Sequence, residues 1–197
     1  MSIDLTIYKN DVETSFSRIA SELMNDWVIQ VESNQYRIAE LEFYYWSEFH
    51  DDPYAHKHTR QKEMGRWYFH GSGLDLTFGE NGSYGGILIR AIYDFKGKVK
   101  NYIYGPLNCL TELFSKFPCI YDNKSNISFG LVKANENDFE REVPISGPRF
   151  GLNPINDKDQ KCDAPYRFLI MPKYRHDAKQ KIVDSLDQRG LPCNIWG

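Results

Sequence analysis

Two glutamates, a tyrosine and a histidine are the residues of this chain best suited to chemistry. They lie in Arg37-Ile-Ala-Glu-Leu-Glu-Phe-Tyr-Tyr45 and, shortly after it, in Ala55-His56. The segment alternates apolar and polar side chains as a half-buried strand does. Alternation places Glu40, Glu42 and Tyr44 on one face. Carboxylates in such a row serve as general acids, general bases or anchors for a cation. A neighbouring Tyr and His add hydrogen bonds and flat stacking surface. The face is either a solvated sheet edge or the floor of a site. A lone Glu would normally mean the edge; the rest of the chain favours the site.

Arg90 is the second anomaly. It stands inside Gly85-Gly-Ile-Leu-Ile-Arg-Ala-Ile92, an otherwise apolar run. An unpaired buried charge is costly, so Arg90 must meet an acid or a phosphate, and Glu40 or Glu42 is the natural partner. A structural ion pair and a group that orients a carboxylate or a water both fit. His50, Asp51, Asp52, His56 and His58 invite a metal reading, but their spacing matches no zinc or di-metal signature. No metal or cofactor is therefore expected. Gly71-Ser-Gly73 and Gly85-Gly86 lack phosphate-loop spacing. No Gly-x-Ser-x-Gly elbow and no Cys/His pairing support acyl transfer.

The elements that must position these groups follow from pattern and punctuation. Asp11 to Met24 has Phe16, Ile19, Ala20 and Leu23 near helical spacing, with Asp11 or Thr14 as cap. Trp27–Val31 is a strand, Ser33-Asn34 a turn, and the Arg37 segment completes a hairpin. Phe49 to Met64 is a loop with a short helix at most. Arg66–His70 and Leu74–Phe78 are strands joined through Gly71–Gly73, and Gly79 to Ser83 is a further turn before the Arg90 strand. Gly105-Pro106 opens a helix to about Phe117, with Leu107, Leu110, Leu113 and Phe114 as its apolar stripe. Ile127 to Val143 is expected to be strand-rich, Ser146–Gly151 a tight turn, and Pro165–Ile170 extended. No repeat or linker stands out. The sum is one α+β domain over residues 1–197, with a curved, largely antiparallel sheet and a few flanking helices.

Composition bounds the setting. A chain of 197 residues can bury a full core. Aromatics reach 15%, enough for a dense core or stacking surfaces. No run approaches the roughly 18 apolar residues of a membrane span, so no membrane partner is expected. MSIDLTIYKNDVETSF lacks the basic-then-apolar pattern of a secretion signal. Cys109, Cys119, Cys162 and Cys193 are scattered without metal spacing, which favours free thiols in a reducing cytoplasm. The net charge of -3 weighs mildly against nucleic acid. Local basic runs offset it: His56 to Lys62 with Arg66; Lys96, Lys98 and Lys100; and Lys173 to Lys181. A phosphate-binding face needs only a local patch, although an ordinary solvated surface explains any single run equally.

Taken in order, eight short motifs resemble the alkyladenine (3-methyladenine) DNA glycosylases along nearly the whole chain. Phe16 to Glu42 resembles the family's opening helix and strands. Arg37-Ile-Ala-Glu-Leu-Glu-Phe-Tyr44 resembles its catalytic Arg-Ile-Val-Glu-Thr-Glu-Ala-Tyr. Asp52 to His56 resembles the acidic stretch ending in Ala-His, and Gly65 to His70 its Gly-x-x-Tyr-x-Tyr strand. Gly86 to Ile92 resembles Val-Leu-Leu-Arg-Ala, and Gly105 to Cys109 resembles Gly-Pro-x-x-Leu-Cys. Pro148-Arg-Phe-Gly151 resembles Ala-Arg-Val-Gly, and Pro165-Tyr-Arg-Phe168 resembles Pro-Leu-Arg-Phe.

The resemblance implies a monomeric, cofactor-free DNA glycosylase that extrudes a modified or damaged base and hydrolyses its N-glycosidic bond in base-excision repair. Glu42 would be the general base, with Arg90 and the Phe150 carbonyl holding the water. Tyr44 and His70 would stack on the flipped base and His56 would hydrogen bond to it. Arg66, Ser72 and Arg149 would contact DNA. Glycosidic cleavage passes through an oxocarbenium-like state, which a carboxylate also stabilises. Extrusion is needed because the duplex shields the reacting atoms. Three departures matter. His70 stands where the family has Tyr, and the hairpin tip Gly71-Ser72-Gly73 has no wedge residue. The family's Met-Asn pair aligns near Thr77-Phe78. A different base, a single strand or a free nucleoside therefore stays open as the substrate beside a modified base in DNA. Two other classes stay open: a binding module on the same fold, and a metal-dependent nuclease built on His50, Asp51, His56 and His58.

Overall fold

The acidic strand and the strand bearing Arg90 form the spine of the fold. They are β2 (Asn34–Trp46) and β5 (Tyr84–Asp94), paired antiparallel. The structure, a computed structural model, describes residues 2–80, 82–97, 101–122, 126–154 and 157–194. Lys98 and Lys100 of the second basic run lie outside the described residues. Before β2 come α1 (Val12–Asn25) and β1 (Trp27–Val31); β3 (Trp67–His70) and β4 (Gly73–Thr77) lie between β2 and β5. After β5 come β6 (Asn101–Tyr104), α2 (Pro106–Phe114), β7 (Phe129–Lys133), β8 (Ile145–Gly147), β9 (Arg167–Leu169) and α3 (Lys179–Gln188). The sheet runs β3-β4-β5-β2-β1-β7, with β6 added to β5, β9 to β2 and β8 to β9. Its end strands approach each other through aromatic side chains: Phe129 of β7 lies 5.0 Å from Trp67 and 5.9 Å from Phe69 of β3. The result is an α+β domain whose antiparallel sheet curls into a half-barrel.

Local chemistry explains the elements. Asp11 caps α1 by accepting the Thr14 N–H at 3.0 Å. The helix then buries Phe16, Ile19, Ala20 and Leu23, the stripe its spacing predicts. Phe16 stacks on Phe43 at 4.3 Å and meets Tyr45, Phe78 and Tyr166 edge-on. Phe43 and Tyr45 thus face the core beneath α1, leaving Glu42 and Tyr44 for the opposite face.

Both long strands change partners midway. β2 pairs β1 through Arg37 and β9 from Glu40; β5 pairs β4 through Leu88 and β6 from Ala91. Glu40 and Arg90 stand at these two forks. A bulge interrupts the β2–β5 register beside Glu40. There the splitting sheet leaves space that two hydrogen-bonding charges fill.

Several expectations are corrected. β2 is not half-buried: every residue from Tyr36 to Phe43 is buried, because the loop after β8 and the segment leading into α3 cover the acidic face. α2 ends at Phe114, with turns to Phe117, and it buries Cys109 and Leu113 while Leu107 and Phe114 stay partly exposed. Between Ile127 and Val143 the one strand is β7, since the acid-rich stretch after it is used as a clamp. Glu142 accepts from Arg37 at 3.0 Å, and its backbone exchanges hydrogen bonds with the Asn25 side chain. The expected turn at Ser146–Gly151 begins as strand β8. β6 and α3 had no clear signal. The residue before α3, Ala178, sits at φ +52 and has no side-chain cap.

His50 is part of the core rather than of a metal site. Its ring packs against Phe16, Tyr45 and Tyr166, and its Nε2 has no hydrogen-bond partner. Burial, with Lys161 nearby, pushes its pKa down to about 4. A depressed pKa contributes stability that is full above the unfolded value near 6.5 and is lost as pH falls towards 4. The loss amounts to about 3 kcal/mol. Urea midpoints should therefore fall between pH 6.5 and 5, and His50→Asn should flatten that slope. An unchanged slope in the variant would assign it to other groups.

Candidate functional site

Strand register gathers the site. Glu42 lies opposite Leu88, Leu88 opposite Asp75, and Asp75 opposite Tyr68, so these four side chains share one face across β2, β5, β4 and β3. Tyr44 lies one pair further on, opposite Gly86. Above this face is a cavity of about 310 Å³, at the lower end of the range for small-molecule sites. Tyr44, His56, His70 and Ser72 all line it. The sequence reading had grouped Tyr44, His56 and His70 around a base and given Ser72 to DNA contact instead. His56 meets His70 with ring centroids 5.2 Å apart and planes nearly perpendicular.

Tyr44 is braced from behind. Its hydroxyl donates to Glu42 Oε2 at 2.8 Å, and the Arg149 guanidinium lies over its ring at 4.6 Å. Burial and the Glu42 charge push the phenol's pKa well up, so Tyr44 remains a donor. Arg149 is a correction: it offers nothing to a DNA phosphate. Its side chain is 0% exposed, holds Asp52 through both terminal nitrogens at 2.7 and 3.0 Å, and donates to the carbonyls of Phe43 and Lys161. It is a positioning residue for the aromatic wall. Arg66, by contrast, is largely exposed beside Glu63, and Ser72 is exposed at the hairpin tip.

Glu42 itself does not line the cavity. It is fully buried behind Tyr44 and surrounded by donors. Oε1 accepts the Phe150 N–H at 2.8 Å, and Arg90 Nε lies 3.4 Å away. Phe150 therefore reaches Glu42 through its backbone N–H, while its ring, 42% exposed, lies 5.3 Å from the Arg90 guanidinium. Arg90 also donates to Glu40 at 2.8 Å and approaches Tyr104 at 3.4 Å. Through Arg90 the Glu42 cluster is joined to a second set of buried charges around Glu40, which takes Arg167 at 2.9 Å and His176 at 2.5 Å. Burial opposes its ionised form, but the His176 hydrogen bond and the Arg167 and Arg90 charges hold its pKa down at about 2.

The four residues of the nuclease reading do not converge. His50 is in the core, Asp51 accepts from Trp46, His58 stacks on Tyr68, and only His56 reaches the cavity. Among the described residues no three His, Cys, Asp or Glu side chains could hold one metal ion.

Two polar cavity residues escaped the sequence reading. Asp75 is 3% exposed on β4, between Leu74 and Leu76. An acid in an apolar strand is the same signal that singled out Arg90. Gln61, buried in the loop before β3, had no such signal. Gly86 makes room for both: a Cβ there would come within 2.5 Å of Asp75 Oδ2 and 2.7 Å of Gln61 Nε2.

No family model matches the chain. The chain is 29% identical over 202 residues to "Uncharacterized protein L759" of Acanthamoeba polyphaga mimivirus, covering 83% of this chain and 89% of that protein.

Proposed function

We propose that this protein is an N-glycosylase that takes an extruded base into the Tyr44–His56–His70 cavity and hydrolyses its bond to the sugar. The observation that carries this reading is the joining of an aromatic, base-sized cavity to a buried Glu–Arg pair through one residue, Tyr44. In the reaction a water proton passes to Glu42 and the water oxygen bonds to C1′. The carbon–nitrogen bond breaks, and its electron pair leaves with the base, which is then protonated. Arg90 and the Phe150 N–H orient Glu42, whose charge stabilises the oxocarbenium-like sugar. For water to reach Glu42, the covering loop at Phe150 must move. DNA is the partner in this reading. The protein acts as a monomer in the cytoplasm, where its four free cysteines stay reduced. Among the described residues no helix is long and apolar enough to cross a membrane.

A mass-spectrometric screen for bases released from modified and phage DNA tests the proposal. Release that depends on Glu42 supports it. Binding without release from any substrate favours the second reading, a nucleic-acid-binding module in which Glu42 and Arg90 only brace Tyr44. The complete enclosure of Glu42 is what favours that alternative.

The hairpin tip bears on the strand state of the substrate. Gly71, Ser72 and Gly73 offer no ring to fill a vacated stack. Trp46 and Tyr54, two large aromatic side chains that could serve as a wedge in its place, are both tied down. The Trp46 indole donates to Asp51, and the Tyr54 hydroxyl donates to the Asn153 carbonyl and contacts Asp157. Extrusion from a duplex costs a few kcal/mol that a wedge would partly offset. Single strands, mismatches and bulky bases should therefore be processed roughly 10- to 100-fold better than the same base in a matched duplex. Paired oligonucleotides carrying one lesion measure this, and a preference for the matched duplex would locate a wedge elsewhere.

A further inference from the structure

We propose that Asp75 makes the cavity selective for a base that presents an amino group to it, rather than a carbonyl oxygen. The inference rests on the reading of this cavity as a pocket for an extruded base.

The acids of the site divide by what neutralises them. Glu40 meets Arg90 and Arg167, Glu42 meets Arg90, and Asp52 meets Arg149. Asp75 lines the cavity, and among the described residues no Lys or Arg pairs with it. Its partners are two. Oδ1 lies 3.0 Å from His70 Nε2, and Oδ2 accepts from Gln61 Nε2 at 3.3 Å. The other nitrogen of the His70 ring, Nδ1, accepts the Ser72 N–H at 3.2 Å. That bond assigns the ring proton to Nε2, which makes His70 a neutral donor to Asp75. Both contacts of Asp75 therefore come from neutral groups, and a carboxylate with about four acceptor positions has capacity left.

A buried carboxylate in this state is costly unless something supplies further donors. A base edge entering beside His70 and Tyr44 is placed to do so. An exocyclic amino group donates to a carboxylate, as in the recognition of the cytosine N4 amino group by acidic side chains. A carbonyl oxygen at the same point sets lone pair against lone pair and leaves the acid unsatisfied. The arrangement is tight: a Cβ at position 86 would press on the ends of both the Asp75 and the Gln61 side chains, so a larger residue there would shift one or both of them.

The test measures binding of the full chain to four single-stranded oligonucleotides of one sequence. Each carries one central 2′-fluoro nucleotide, which slows cleavage, bearing cytosine, uracil, adenine or hypoxanthine. Cytosine and uracil, like adenine and hypoxanthine, differ in an amino against an oxo group. Wild-type protein is expected to bind the amino member of at least one pair about 10-fold more tightly, as a hydrogen bond to a charged acceptor implies. Asp75→Asn keeps the shape but removes the charge and one of the two acceptor oxygens, so it should erase the preference. Equal affinity within both pairs for the wild type overturns the proposal, and so does a preference that Asp75→Asn leaves unchanged. If that variant does not fold, the wild-type comparison decides by itself. Failure to bind any of the four would overturn the base-pocket reading as well, whereas tight binding without discrimination overturns only the role of Asp75.

Discussion

Glu42→Gln is expected to abolish most base release, with a rate loss on the order of 10²–10⁴. The structure indicates that the variant should fold. The Phe150 N–H and Arg90 are obligate donors to Glu42 and keep the amide oxygen on their side. The amide nitrogen then faces Tyr44, whose hydroxyl can turn from donor to acceptor. One charge is lost, and with it the long 3.5 Å contact from Arg90 Nη1 to Oε2, but the shorter hydrogen bonds to Glu42 keep partners, so oligonucleotide binding should persist. Single-turnover base release beside a binding measurement separates the two effects. Glu40→Gln is the control. Glu40 is locked by Arg90, Arg167 and His176, away from the cavity, so its loss should act through stability. A fully active Glu42→Gln beside a folded but dead Glu40→Gln would move the catalytic assignment to Glu40.

Arg90→Ala should destabilise the fold by roughly 3–5 kcal/mol and inactivate it, because it removes the cation shared by two buried acids. Denaturant midpoints at neutral pH read the first effect and base release the second. Acid unfolding supplies an independent check. Because the Glu40 pKa is depressed to about 2, its contribution is full above the unfolded value near 4.5 and lost as pH falls towards 2. Without Arg90, one of the charges that hold it down is gone, so the acid transition should move to higher pH. Wild-type stability in Arg90→Ala would show that Arg167 and His176 suffice, and that Arg90 is not structurally required.

The site and the fold were legible in the sequence to different depths. The stripe of α1, the hairpins and the Arg90 strand follow from local pattern, because periodicity and turn residues act over a few positions. The grouping of Tyr44, His56 and His70 was an expectation from motif order, whereas Ser72, expected at DNA, lines the same cavity because of the β3–β4 hairpin. What alternation could not reveal was which acid does what. Glu40 and Glu42 are equivalent in the pattern, yet a bulge and two strand forks send one into a closed ion network and leave the other behind Tyr44. Arg149 looked like a surface cation, but it is buried because Asp52, far from it in sequence, neutralises it. His50, a ligand only in the nuclease alternative, is core. Asp75 carried the same signal as Arg90, but its facing the cavity depends on the β3–β4–β5 register. Neighbours along the chain were enough to mark α1, the early strands, the start of α2 and the inventory of charged groups, but not β6, β8, α3 or the extent of strand after α2. Only the tertiary structure decided which charges are paired, which are covered and which face the cavity, because those outcomes are set by groups brought together from distant parts of the chain.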